Sequence, residues 1–262
     1  MEPSRKVDSP EGAVLRWRPS KAVGESAVMR FRCRYPVSAF AGYRFPAEVI
    51  VVAVRWYLRY GLSYRDVEEL LAERGIDVDH VTVYRWVQRF TPLLMEAARP
   101  CRHVVGDRWF VDETYVKVGG VWRYVYRAVD QHGQVIDVYV SRRRNTEAAR
   151  RFFNRALADH VRPVEVVTDK AQALLAAVDD VLPDALPISD RWCNNRIEAD
   201  HGRLKARLRP MRGLKRDRTA AVVIRGHAFV QNVRRGHYEL GVDARCSQLR
   251  LAAAFDELAD MI

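Results

Sequence analysis

The chain has 262 residues, enough for one or two domains around a sizeable core. At 48% hydrophobic and 10% aromatic, with 14 Gly and 11 Pro, it is neither disordered nor fibrous. It has no ~20-residue apolar run for a membrane helix, and Met1–Pro19 lacks the apolar core of a secretory signal. Its 44 Lys and Arg against 33 Asp and Glu give a net charge of +11 and a pI of about 9.8, which points to a polyanionic partner.

Residues 1–44 are basic and broken by Pro3, Pro10, Pro19 and Pro36, and are expected to be poorly ordered, with Met29 a candidate natural start. Helical patterns follow. Glu48–Tyr60 is strongly apolar and stops at Gly61. Ser63 and Asp66 resemble a capping box before Tyr64–Arg74, which Gly75 stops. Asp79 can cap His80–Phe90. Two short helices around a tight turn make a helix-turn-helix pattern over an expected domain at 45–100. In such a pair the second helix lies in a DNA major groove, making His80, Thr82, Arg85, Gln88 and Arg89 candidate readers of bases or phosphates.

From Trp109 the period changes to that of strands: Trp109–Val118, Trp122–Val129 and Val135–Ser141, joined by Gly119-Gly120 and Asp130–Gly133. Thr146–His160 reads as a helix, Pro163–Thr168 as a short strand and Lys170–Val181 as a helix. A loop with Pro183 and Pro187 leads to Ile188. Asn194 or Asn195 can cap a last long helix, Arg196–Arg209, stopped by Pro210. This is an α/β layout with the element order of a ribonuclease H-like domain, expected over 101–240 as a mixed five-stranded sheet, with 241–262 a helical tail. Cys33, Cys101, Cys193 and Cys246 are too scattered for a zinc site and read as reduced thiols.

Charge is unevenly placed. Residues 191–238 hold thirteen basic residues against Glu198, Asp200 and Asp217, whereas 101–190 balances at thirteen of each. A run this long, mixed with apolar residues, is read as a nucleic-acid contact rather than a solvated face.

Three acids carry the chemistry. Asp112 interrupts an apolar strand, Asp169 ends the next core strand where ligands of α/β sheets bind, and Glu198 lies in the first turn of the late helix. Each has a plainer reading: an arginine partner for Asp112, an N-cap role for Asp169, the helix dipole for Glu198. Together they can hold two divalent ions, and two Mg²⁺ ~3.5–4 Å apart clamp the attacking and leaving oxygens of an in-line phosphoryl transfer. Lys205, two helical turns after Glu198, is placed on a DNA phosphate, with Arg203 and Arg209 extending the basic stripe. Asp107, Glu113, Asp200 and His201 are read as supporting or solvated groups outside the site.

The stretches RWYLRYGLSYRDVEELLAERGI (55–76), TVYRWVQRF (82–90), WFVDETYVKVGGVWRYVYRAVD (109–130), VVTDKA (166–171) and NNRIEADHGRLKARLRPMRGLK (194–215) resemble the DDE-class transposases of bacterial insertion sequences, closest to the insertion sequence six family. The resemblance spans about Phe45 to Leu240. It implies that Asp112, Asp169 and Glu198 are the metal-holding triad, with Mg²⁺ (or Mn²⁺) as cofactor and Lys205 the basic residue that follows the glutamate. It also implies a helix-turn-helix that reads terminal inverted repeats, and a homo-oligomer on duplex DNA, at its ends and target, in the cytoplasm on the nucleoid. Replicative transposition through cointegrates follows from it too. The 29 positions from Asp169 to Glu198 are fewer than in well-known members, which reads as a trimmed loop near Pro183–Asp190. The rivals are a non-catalytic helix-turn-helix regulator, a retroviral-type integrase or ribonuclease H-like nuclease, and an inactive transposase relic.

Overall fold

The computed structural model describes residues 37–169, 171–188, 195–211 and 214–262, with Asn195 and Arg196 described by backbone alone. The expectations for residues 1–36, Lys170 and an Asn194 cap lie outside the described residues, as do Cys33 and Cys193. All described residues belong to one unit, Arg32–Ile262.

Helix α1 (Ala47–Arg59) buries Ile50, Val54 and Tyr57. Helix α2 (Tyr64–Ala72) starts on the expected capping box: the Asp66 amide donates to Ser63 Oγ at 3.2 Å and the Ser63 amide to Asp66 Oδ2 at 2.7 Å. Helix α3 (His80–Ala97) starts on Asp79, whose carboxylate accepts from the Val81 and Thr82 amides at 2.8 and 3.0 Å. It does not stop at Phe90. Pro92 removes one helical hydrogen bond, but burial of Thr91, Leu94 and Ala97 carries the helix onward.

The sheet is a run of three antiparallel strands, β1 (Arg108–Val118), β2 (Val121–Asp130) and β3 (Val135–Ser141). Gly119 and Gly120, both at positive φ (58° and 79°), turn β1 into β2, a conformation matching the strands' twist. Helix α4 (Thr146–Asp159) returns the chain to β4 (Glu165–Thr168), parallel to β1. Helix α5 (Gln172–Val181) leads to β5 (Leu186–Ile188), parallel to β4. The order β3-β2-β1-β4-β5 is the ribonuclease H-like arrangement.

Helix α6 (Asn195–Leu208) follows, then α7 (Asp217–Arg235) and α8 (Arg250–Asp260). Trp109, Val111, Tyr126 and Ala128 pack under α4 and α5 on one face of the sheet. Phe110, Val116, Val125 and Val138 meet a larger core on the other face, shared by α6, α7, α8 and the N-terminal helices. Helix α7 corrects the reading of 191–238 as a nucleic-acid contact throughout. It buries eleven residues, from Ala220 to Val233, and is a core helix. Arg207 is likewise buried, donating to the Tyr57 and Leu58 carbonyls of α1.

Candidate active site

Strand alternation sets the site. Phe110 and Val116 face the larger core, so Asp112 shares their side, toward α6 and α7, while Glu113 falls on the α4 side. Strand β4 pairs with β1 only as far as Val111↔Thr168, so Asp169, the next residue, leaves the sheet beside Asp112. Carboxylate oxygens of Asp112, Glu113 and Asp169 all lie within 4.8 Å of one another. Glu198 is exposed in the first turn of α6, close enough for its charge to act on Asp112. Two of the three acids singled out in the sequence, Asp112 and Asp169, are thus brought together, and Glu113, set aside there, joins them, while Glu198 lies outside that group and reaches Asp112 through its charge.

The electrostatics match a cation site. Asp112 is pushed up to about 7, chiefly by burial and then by Asp169, with Glu113 and Glu198 adding to it; the Glu113 amide, donating to Asp112 Oδ1 at 2.8 Å, opposes the shift. No arginine pairs with Asp112 among the described residues; His201 Nδ1 stands 3.6 Å from its Oδ2. His201 is itself pushed down to about 4 by burial and by Arg127. Glu113 is raised by burial but ion-paired with Arg144, which leaves it more compensated than Asp112. Asp169 partly fulfils its plainer reading, since the Ala171 amide donates to its Oδ1 at 3.0 Å near the start of α5. Carboxylates are the hard donors that Mg²⁺ takes, and the raised Asp112 marks negative charge that a dication would offset, so the residues fit a divalent metal.

Helix α6 is fixed to the sheet by a buried charge network. Arg127 stands opposite Asp112 in the β1–β2 register and is fully buried. It forms an ion pair with Asp200, itself 1% exposed, and donates to Gln231 Oε1 at 2.7 Å; Arg235 Nη2 donates to Asp200 Oδ1 at 2.9 Å. Asp200 and His201 are therefore not solvated, whereas Asp107 is exposed and accepts from Gln131. Sequence reasoning had a signal for the network, an arginine centred in an apolar strand, but its partners lie far along the chain.

Lys205 and Arg203 are exposed on α6 and Arg209 just beyond its end, with Lys205 Nζ 5.2 Å from the Tyr115 ring centroid. On α3, Arg85 and Arg89 are exposed, Thr82 donates its hydroxyl to Asp79, and His80 Nδ1 lies 3.1 Å from Glu68. The amide nitrogen of Gln88 is buried, and its side chain meets Tyr64.

A ribonuclease H-like sheet with acids gathered at the carboxyl end of β4 defines a class, the nucleotidyl-transferring enzymes of the DDE type. The family described as DDE domain matches residues 106–237. The transposase for the insertion sequence-like element IS431mec of Staphylococcus aureus (strain Mu50) is 39% identical over 170 residues, 63% of this chain and 75% of that protein. The transposase for insertion sequence element IS257 in transposon Tn4003 of Staphylococcus aureus matches to the same extent. The chain belongs to the DDE transposases of the insertion sequence six family. Solved structures matched include the HTLV-2 integrase catalytic core domain in complex with magnesium, with a TM-score of 0.38 and 15% identity over 58% of this chain and 99% of that one. A simian T-cell lymphotropic virus intasome chain matches with a TM-score of 0.39 and 16% identity, over 57% and 56%.

Proposed function

We propose that Asp112, Asp169 and Glu198 together hold two Mg²⁺ ions, which Mn²⁺ can replace, and that the chain cleaves and joins the ends of its own insertion sequence. The observation that carries this reading is the convergence of Asp112, Glu113 and Asp169 at the end of β4, with no arginine paired to Asp112 among the described residues. When bound, such ions supply Lewis-acid activation to the attacking and leaving oxygens of an in-line phosphoryl transfer. The chain's own residues do the rest. Helix α6, tied to the sheet through Asp200 and Arg127, carries Glu198, whose charge reaches Asp112. Lys205, with Arg203 and Arg209, holds the DNA backbone alongside. Water attacks the phosphodiester at the element's end, and the 3′-hydroxyl so freed attacks target DNA, the route expected of replicative transposition.

The outer surface of α3, through Thr82, Arg85 and Arg89, is proposed to read the terminal inverted repeats, within a DNA-binding domain at 45–100 that precedes the catalytic domain at 101–240; Gln88, turned inward to Tyr64, drops out of that set. A homo-oligomer would bring two ends together. The test is to incubate the protein with Mg²⁺ and duplex DNA carrying its flanking repeats. Nicked ends and joined products support the reading. Binding with no cutting under any divalent ion favours a regulator or relic instead.

A further inference from the structure

Strand alternation makes a second surface at the β1–β2 hairpin. Residues of β1 and β2 that share the α4 side are covered as far as Tyr126 and Ala128 by Phe152 and its neighbours. Beyond them the cover stops. Tyr115 is 55% exposed and Trp122 50%, their rings meeting edge to face at 5.1 Å. Exposed large aromatics placed together mark an interaction site. Each ring also carries an ammonium group: Lys205 Nζ lies 5.2 Å from the Tyr115 centroid and Lys117 Nζ 4.9 Å from that of Trp122. Tyr115 follows Glu113 by two positions on the same side of the strand, ~7 Å along it. It also lies on the stretch of β1 beyond the pairing with β4. The platform therefore continues along the same face of β1 that carries Glu113 of the acidic cluster.

We infer that Tyr115 and Trp122 form a stacking platform for unpaired DNA bases next to the phosphate being cut. The inference deepens the proposed function and rests on it for the location of that phosphate. Aromatic faces take any base without reading its sequence, and lysines beside them balance the phosphates of the strand, the combination by which proteins hold single-stranded nucleic acid. Ammonium groups over both rings favour a polyanionic strand, which meets aromatic faces and cations together, over an uncharged apolar partner.

The experiment uses the full chain and a fluorescein-labelled 15-mer of thymidine, followed by anisotropy without metal. Tyr115→Ala and Trp122→Ala each weaken binding by about ten-fold or more, Trp122→Phe keeps most of the affinity, and Val242→Ala, an exposed apolar residue elsewhere, changes nothing. Strands carrying 5-iodouracil, irradiated in the complex, crosslink to Tyr115 or Trp122. Equal binding by all variants, or crosslinks confined to other residues, overturns the platform. So does a dimer that falls apart on Trp122→Ala, because the face is then a contact between copies. The outcomes separate from those of the catalytic reading. A wild type that shows this pattern but cuts no end-containing DNA in Mg²⁺ loses the catalytic reading alone, and one that cuts while its alanine variants bind normally loses the platform alone.

Discussion

Arg127 of β2 and Asp200 of α6 form an ion pair closed off from water, directly across the sheet register from Asp112 and two residues from Glu198. It makes the position of α6 depend on one buried ion pair. Breaking such a pair from one side leaves the other charge stranded, at a cost of about 3–5 kcal/mol. Asp200→Asn should lower the stability measured by urea unfolding by about that much. The double variant Arg127→Met with Asp200→Leu, which removes both charges, should recover most of it. A double variant no better than the single one would show that the pair is not the element that matters.

The acidic cluster predicts the opposite sign for Asp112. Its folded pKa is raised, so its contribution to stability is present below the ordinary aspartate range and is lost as pH rises through about 7. At pH 8 without metal, Asp112→Asn should therefore melt above the wild type. Mg²⁺ should raise the melting temperature of the wild type and leave the variant nearly unmoved. A variant that melts lower and still responds to Mg²⁺ would contradict the placement of the metal.

His227 tests the buried face of α7. Burial, then Arg127 and Arg207, push it down to about 3, so it folds neutral. A depressed histidine stabilises above its unfolded value of about 6.5 and loses that contribution as pH falls toward the folded one. His227→Phe should flatten the decline of stability between pH 6 and 4 by on the order of 1 kcal/mol per unit, read from unfolding curves across that range.

Gly226 lets α7 approach the N-terminal helices. A Cβ there would stand 2.7 Å from Leu58 of α1 and 2.7 Å from Thr91 of α3. Gly226→Ala should cost about 1–3 kcal/mol by overpacking, measured by thermal unfolding, although the position is an ordinary helical one where alanine is otherwise preferred.

The basic stripe has a salt signature. Each of Arg203→Gln, Lys205→Gln and Arg209→Gln should lower the slope of log affinity against log salt for duplex DNA by about 1. Unchanged slopes would remove these residues from the phosphate contacts.

Much of this architecture is legible in the sequence because its signals are local. The Ser63–Asp66 box, the alternation of 109–141 and the Gly119-Gly120 turn each state their structure within a few residues. An acid in an apolar strand likewise announces Asp112. What stays hidden depends on partners far away. Helix α7 carries Arg225, His227, Gln231 and Asn232, which blur its apolar stripe. Yet Asn232 exchanges two 2.8 Å hydrogen bonds with the Val135 backbone, 97 residues distant. Arg207 and Arg235 count as basic charge in the sequence but are committed to a backbone carbonyl pair and to Asp200. Glu113 is invisible as a neighbour of Asp169 because adjacent strand residues normally face apart; its nearness follows from where β4 ends.

Asp112 and its neighbours are proposed to cut and join DNA in the presence of a divalent metal. The most direct measurement is end cleavage in Mg²⁺ of duplex DNA carrying the element's own repeats, wild type against Asp112→Asn. The wild type is expected to give nicked and joined products, and the variant none above background while its end binding stays nearly intact. A variant that still cuts would contradict that role of Asp112.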